Sequence, residues 1–309
     1  MNKSKGMAFE CFACGKCCNS PPTIFFEEAH SMAGEFPLYL SLLFSGIQST
    51  KKLTPPKQFR LYWENQLSLR PQVFVGEREV ASVSIKLNPF SYGGDSCPKL
   101  DPSGACSMHQ DRPVTCRLVP FRFGELMAEQ GKNLIWMKNQ YGCVSYANHN
   151  DGKIIYRDGK IAGNDFPAVY SKAKQMYKND QLLSSFICVA IESGYESWAP
   201  RFDEVRNAFA SGDRLYISIV PLLFAMAAIG YPKENVLDIA RKQAVLLRLL
   251  ASDSQSLLLP FGDLKRCISD VEKFNRNFSS AEDLEEFNKA VGHLILDGAK
   301  EKLQKPLWR

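Results

Sequence analysis

Long apolar runs are scarce in this 309-residue chain. The first residues, MNKSKGMAFECF, hold two lysines with no apolar stretch behind them, so no secretory leader is expected. The longest nearly apolar segment, Leu215 to Gly230, is broken by Ser218 and Pro221. It falls short of the roughly 20 residues a spanning helix needs and reads as a buried core helix. Charge of one sign is also missing as a block. Residues 1–150 carry 16 Lys/Arg against 12 Asp/Glu and the remainder 22 against 21, which argues against a nucleic-acid partner. Phosphate-binding signatures are absent: there is no G-x-x-x-x-G-K-[ST], and no G-x-G-x-x-G follows a strand. Only four histidines occur, so a histidine base has little support. Internal repeats and low-complexity segments are absent as well.

What the chain does have is cysteine. Of ten, eight lie in the first half. Cys11, Cys14, Cys17 and Cys18 form C-x-x-C-x-x-C-C; Cys97, Cys106, Cys116 and Cys143 follow. Without a leader the expected compartment is the reducing cytoplasm, where disulfides are the weaker reading. Thiolates at short spacing suit soft metals or iron–sulfur clusters. A C-x-x-C loop lets two sulfurs reach one metal, and Gly15 suits the positive φ that such loops need. Lys16 adds positive charge beside the thiols. Vicinal Cys17 and Cys18 point apart on an extended backbone, which favours two metal atoms of a cluster over one tetrahedral ion. In the second group eight and nine residues separate the cysteines, too many for a knuckle, so each arrives from its own loop. Asp101–Gly104 is expected to reverse the chain between two of them. The eight thiolates can supply two four-cysteine sites, one multinuclear site, or one site with spectators. Iron–sulfur would allow electron transfer; zinc would be structural and redox-inert.

Other residues support more than one reading. Cys188 and Cys267 sit singly among apolar neighbours and read as core. His109 stands three residues after Cys106, at ligand-like spacing, yet reads better as a solvated loop residue. His149 reads as a turn residue, and His30 and His293 lie on helix patterns. Arg112, Arg117 and Arg122 surround Cys116. They either offset cluster charge or bind an anion, or else Arg112 pairs with Asp101 or Asp111 to hold a loop. Glu27 and Glu28 read as a solvated helix start.

The expected fold class is α+β: an irregular, cysteine-rich metal-binding N-terminal half with short strands, and a mainly helical C-terminal half. The composition shift suggests a metal-binding region over 1–160 and a helical region over 161–309. In the first half a helix is expected over Glu27–Gly46, a loop over Lys51–Lys57, and strands at Gln72–Val75, Ala81–Leu87, Leu134–Met137 and Ile154–Tyr156, with a D-G turn at Asp158–Gly159. Asn88–Gly94 reads as a turn-rich approach to Cys97. Helices are expected at Ala168–Lys178, Leu182–Ser193, Phe202–Ala210, Leu215–Ile229, Asn235–Ala251, Asp263–Phe274 and Ala281–Lys300. The last is expected to start with a Ser279–Glu282 capping box and to carry Leu284, Phe287, Val291, Leu294 and Ile295 on one face.

F-E-C-F-A-C-G-K-C-C, followed by C-P-K-L-D…G-A-C-S-M-H-Q-D-R-P-V-T-C-R-L-V-P-F, resembles the CxxCxxCC zinc- or iron-chelating family, also called the YkgJ-type cysteine-cluster proteins. The resemblance covers about residues 9–145. It implies that Cys11, Cys14, Cys17, Cys18, Cys97, Cys106, Cys116 and Cys143 ligate an iron–sulfur cluster or iron, with zinc the alternative. Flagellin lysine-N-methylases are similar in this pattern, which implies a cluster-dependent protein modification. They carry an acidic insertion where this chain has the shorter C-G-K-C-C. Two functions are therefore carried forward: a redox or protein-modifying cluster protein, and a structural-zinc protein whose helical half binds a partner.

Overall fold

The structure is a computed structural model. It describes residues 6–11, 15, 18, 21–46, 72–74, 80–90, 97–123, 127–147, 154–163, 165–192, 200, 202–252 and 261–289. In chain order its elements are β1 (Gly6–Phe9), a 3-10 turn (Phe26–Glu28), α1 (Ala29–Met32), β2 (Leu38–Gly46), β3 (Gln72–Phe74), β4 (Val80–Pro89), α2 (Val114–Leu118), α3 (Met127–Tyr141), β5 (Val144–Ala147), β6 (Ile154–Arg157) and β7 (Lys160–Ile161). There follow α4 (Phe166–Glu192), α5 (Phe202–Ser211), β8 (Arg214–Ile217), α6 (Val220–Ala228), α7 (Lys233–Ser252), α8 (Phe261–Asn277) and α9 (Ala281–Phe287). The class is α+β, as expected, with small sheets and a helical C-terminal half. The packing forms two compact units, Met1–Phe25 with Gly94–Lys178 and Phe26–Gly93 with Asn179–Arg309. That division differs from the composition shift near residue 160 and falls inside α4.

The first unit holds an antiparallel sheet in the order β5-β1-β6-β7. Its β6–β7 hairpin turns on Asp158 and Gly159, both at positive φ (51° and 77°), so the D-G signal has the expected consequence. Met7, Phe25, Leu118, Phe121, Leu134 and Tyr170 anchor its core. Leu134–Met137 is not a strand but part of α3. Gln130, Leu134 and Met137 are buried, whereas Ile135 and Trp136 are exposed, which is helical periodicity.

The second unit holds an antiparallel sheet in the order β3-β4-β2-β8. The expected strands near 72 and 81–87 are β3 and β4. The expected helix over Glu27–Gly46 is mostly wrong: it stops at Met32 and becomes β2, the strand between β4 and β8. Leu38, Leu40, Leu42 and Phe44 are all buried, and that spacing of two suits a strand. Pro37 blocks helix continuation. Gln243 of α7 completes the change. Its amide nitrogen donates to the carbonyls of Ala33 and Phe36 (both 2.7 Å), and its oxygen accepts from the Leu38 N–H (2.6 Å).

Two expected helices, 168–178 and 182–193, are one helix, α4. Asp180 does not stop it, because its carboxylate turns to accept the Phe26 N–H at 3.0 Å. The apolar stretch from Leu215 splits into β8 and α6, whose residues Val220–Ala227 are all buried. Phe224 of α6 stacks with Phe274, Phe278 and Phe287 at centroid distances of 5.2, 5.7 and 4.9 Å. Among the described residues, no helix is long and apolar enough to cross a membrane. The capping box of α9 sits one residue beyond expectation: Ser280 is the N-cap and Asp283 its reciprocal partner. Lys51–Lys57, Tyr92–Gly94, His149, His293 and the face beyond Phe287 lie outside the described residues.

Candidate metal centre

Three stretches of the first unit carry the candidate ligands, and backbone hydrogen bonds join them. In β1 and β5, Phe9 pairs with Val144. One step further the Glu10 N–H donates to the Cys143 carbonyl at 3.0 Å. Cys11 and Cys143 thus leave the same end of one ladder. The N-terminal knuckle closes as the Cys18 N–H donates to the Gly15 carbonyl (2.8 Å), with Gly15 at φ +69° as expected. The Cys97 N–H then donates to the Cys18 carbonyl (3.0 Å), which ties the first motif to the second.

The second motif is a set of tight reversals. Asp101 Oδ1 accepts from the Ser103 N–H and hydroxyl and from the Ala105 N–H, at 2.8, 2.6 and 3.0 Å. These donors, the Ser103 hydroxyl foremost, hold its carboxyl below the usual range. The reversal pairs Leu100 with Cys106 in an isolated bridge. A Cβ on Gly15 would lie 3.1 Å from the Gly104 carbonyl oxygen, so knuckle and reversal touch backbone to backbone. Pro113 begins α2, which carries Cys116. The Thr115 hydroxyl donates to the Thr23 carbonyl at 2.7 Å and fastens that helix to the segment after the knuckle.

Cys11 is exposed, and Cys18, Cys97, Cys106, Cys116 and Cys143 are half-buried. Burial pushes the Cys97 thiol up, and Cys106 adds to it. Cys116 is pushed up to about 12, first by burial and then by Cys97, against the opposing charge of Arg112, with Cys106 adding a smaller push. Three sulfurs therefore lie in one another's field. Their mutual repulsion and desolvation oppose the thiolate, and a bound cation would relieve both. Among the described residues no three His, Cys, Asp or Glu side chains stand together closely enough to hold one ion. Cys14 and Cys17 lie outside those residues. The donor set and the close backbone approach at Gly15 nonetheless fit a soft metal.

His109 is exposed in its loop. His30 Nε2 lies 3.0 Å from Asp238 Oδ2 in the other unit. Cys188 and Cys267 are buried in the core, as expected. Sequence reasoning missed Gln130. This fully buried amide accepts from the Arg122 N–H (3.1 Å) and donates to its carbonyl (2.6 Å), bracing the chain after Cys116. A polar residue on the apolar face of α3 was the available signal.

This arrangement is a cysteine-rich unit whose donor types suit a soft metal. Residues 10–144, less than half of the chain, match the model of a family described as "CxxCxxCC: Putative zinc- or iron-chelating domain". A comparison with curated proteins and with solved structures finds no match.

Proposed function

We propose that this is a cytoplasmic protein in which Cys11, Cys14, Cys17, Cys18, Cys97, Cys106, Cys116 and Cys143 ligate an iron–sulfur or multinuclear iron centre. The centre would serve redox chemistry or a cluster-dependent modification of a protein, of the kind lysine-N-methylases suggest. The observation that carries this reading is the Cys97 N–H bond to the Cys18 carbonyl. Ligands separated by 79 positions share one backbone junction. Gly15 permits the close approach, and Pro113 and Thr115 set the helix that bears Cys116. An iron–sulfur group would supply one-electron chemistry. The helical second half would shape the surface for a protein substrate or partner.

Metal and sulfide analysis after anaerobic purification tests this. Brown protein with a broad visible band that bleaches on reduction supports it. Colourless protein with stoichiometric zinc instead supports a structural-zinc protein whose helices bind a partner. Cys17→Ser and Cys18→Ser, made separately, should each lose metal if both vicinal sulfurs bind. Loss in only one removes the multinuclear argument.

A further inference from the structure

Among the described residues, the Nε of Arg112 is buried and has no hydrogen-bond partner. Buried nitrogens are ordinarily bonded, so an unmet one calls for an explanation such as an unseen ion or ligand. Neither Asp101 nor Asp111, the partners expected from the sequence, bonds to this Nε. Arg112 lies close enough to Cys116 for its positive charge to favour the thiolate form of that sulfur. Only Pro113, at φ −51° and ψ 151°, separates Arg112 from the helix bearing that sulfur, so the backbone between them is rigid.

We propose that Arg112 is a positioning residue for the metal centre, balancing the negative charge of the thiolate-ligated group and donating an N–H to sulfur. Four thiolates on one divalent ion leave net negative charge, and clusters with four cysteines do likewise. A guanidinium suits this task because it stays charged when partly buried and offers several donors in a fixed plane. The inference rests on the cysteines being ligands.

Full-length wild-type protein, Arg112→Lys and Arg112→Gln are prepared without metal and titrated anaerobically with Zn²⁺ against a chromogenic chelator. The thermal midpoint of each metal-free protein is measured in parallel. Arg112→Gln should weaken Zn²⁺ binding on the order of 10–100-fold, the usual effect of losing an outer partner of a metal site. Arg112→Lys should lose less. The metal-free midpoints should match wild type, because the Nε removed has no partner among the described residues. Equal Zn²⁺ affinity in Arg112→Gln and wild type overturns the proposal. So does a loss of affinity that merely tracks a lower metal-free midpoint, which would make Arg112 a structural prop. Wild-type protein that takes up no Zn²⁺ would defeat the ligand assignment itself, and this proposal with it.

Discussion

At Gly15 the backbone angle and a neighbouring carbonyl act together. A side chain there would be strained at φ +69° and would press on Gly104. Gly15→Ala should cost about 1–2 kcal/mol for the left-handed conformation and lower metal affinity, measured by thermal melting and chelator competition. Unchanged metal affinity would show that the knuckle does not need this approach. Asp180 makes a different prediction. Burial, with Glu28 and Glu27 adding to it against the Phe26 N–H, lifts its carboxyl from 3.8 to about 8. Between those values the folded chain keeps a proton that the unfolded chain has lost. The stability from this group is therefore full below about pH 4 and is lost as pH rises through about 8. Asp180→Asn keeps an acceptor for Phe26 and removes the charge. It should exceed wild type at pH 8 by more than about 1.4 kcal/mol, the free energy of a tenfold change in proton affinity, and match it near pH 4, as read by urea unfolding. Equal stability at pH 8 would refute the assignment. Gly15 was legible because its spacing within a C-x-x-C loop is local. Asp180 was not, because its partner lies 154 positions away.

Among the elements, β2 shows where local pattern misleads. Leu38, Leu40, Leu42 and Phe44 fall at a spacing of two, but Tyr39 and Leu43 blur the alternation, Glu27–Met32 before it has helical character, and the two read as one helix. The division depends on Gln243, which takes three backbone groups of 33–38 from another helix. Gln243→Leu would leave two buried carbonyls and an N–H unmet. At about 1–3 kcal/mol for each unmet group, it should destabilise by at least about 3 kcal/mol in chemical denaturation. A loss under about 1 kcal/mol, the low end for a single such group, would mean that water replaces the amide. Elements whose burial alternates along the chain, such as β4, were legible beforehand. α3 was not, because Leu134–Met137 is too short an apolar run to separate a strand from one turn of helix.

For the whole molecule, the candidate ligands and the helical core fall in different compact units, each assembled from two stretches of chain. Removing metal with a chelator should therefore act unevenly. Amide exchange should quicken over 6–11, 97–118 and 143–147, where the ligand-bearing segments are joined by few backbone bonds. It should stay slow over 220–250, in the buried α6 and along the core-facing side of α7. Uniform quickening throughout the chain would contradict this, and no change at all would mean that metal does not hold the first unit together. Exchange followed by mass spectrometry reads all segments in one experiment.

By itself the sequence determined the chemistry: soft sulfur donors, spaced as overlapping C-x-x-C units with single cysteines beyond, in a chain balanced in charge. Ligand type and local turn geometry are properties of neighbouring residues, so they are written along the chain. The tertiary structure alone decided which carbonyl each cysteine segment meets, that Gly15 lies on Gly104, and that 27–46 divides between a short helix and a strand. Those outcomes depend on hydrogen bonds and packing between residues far apart in sequence, and no local pattern carries that information.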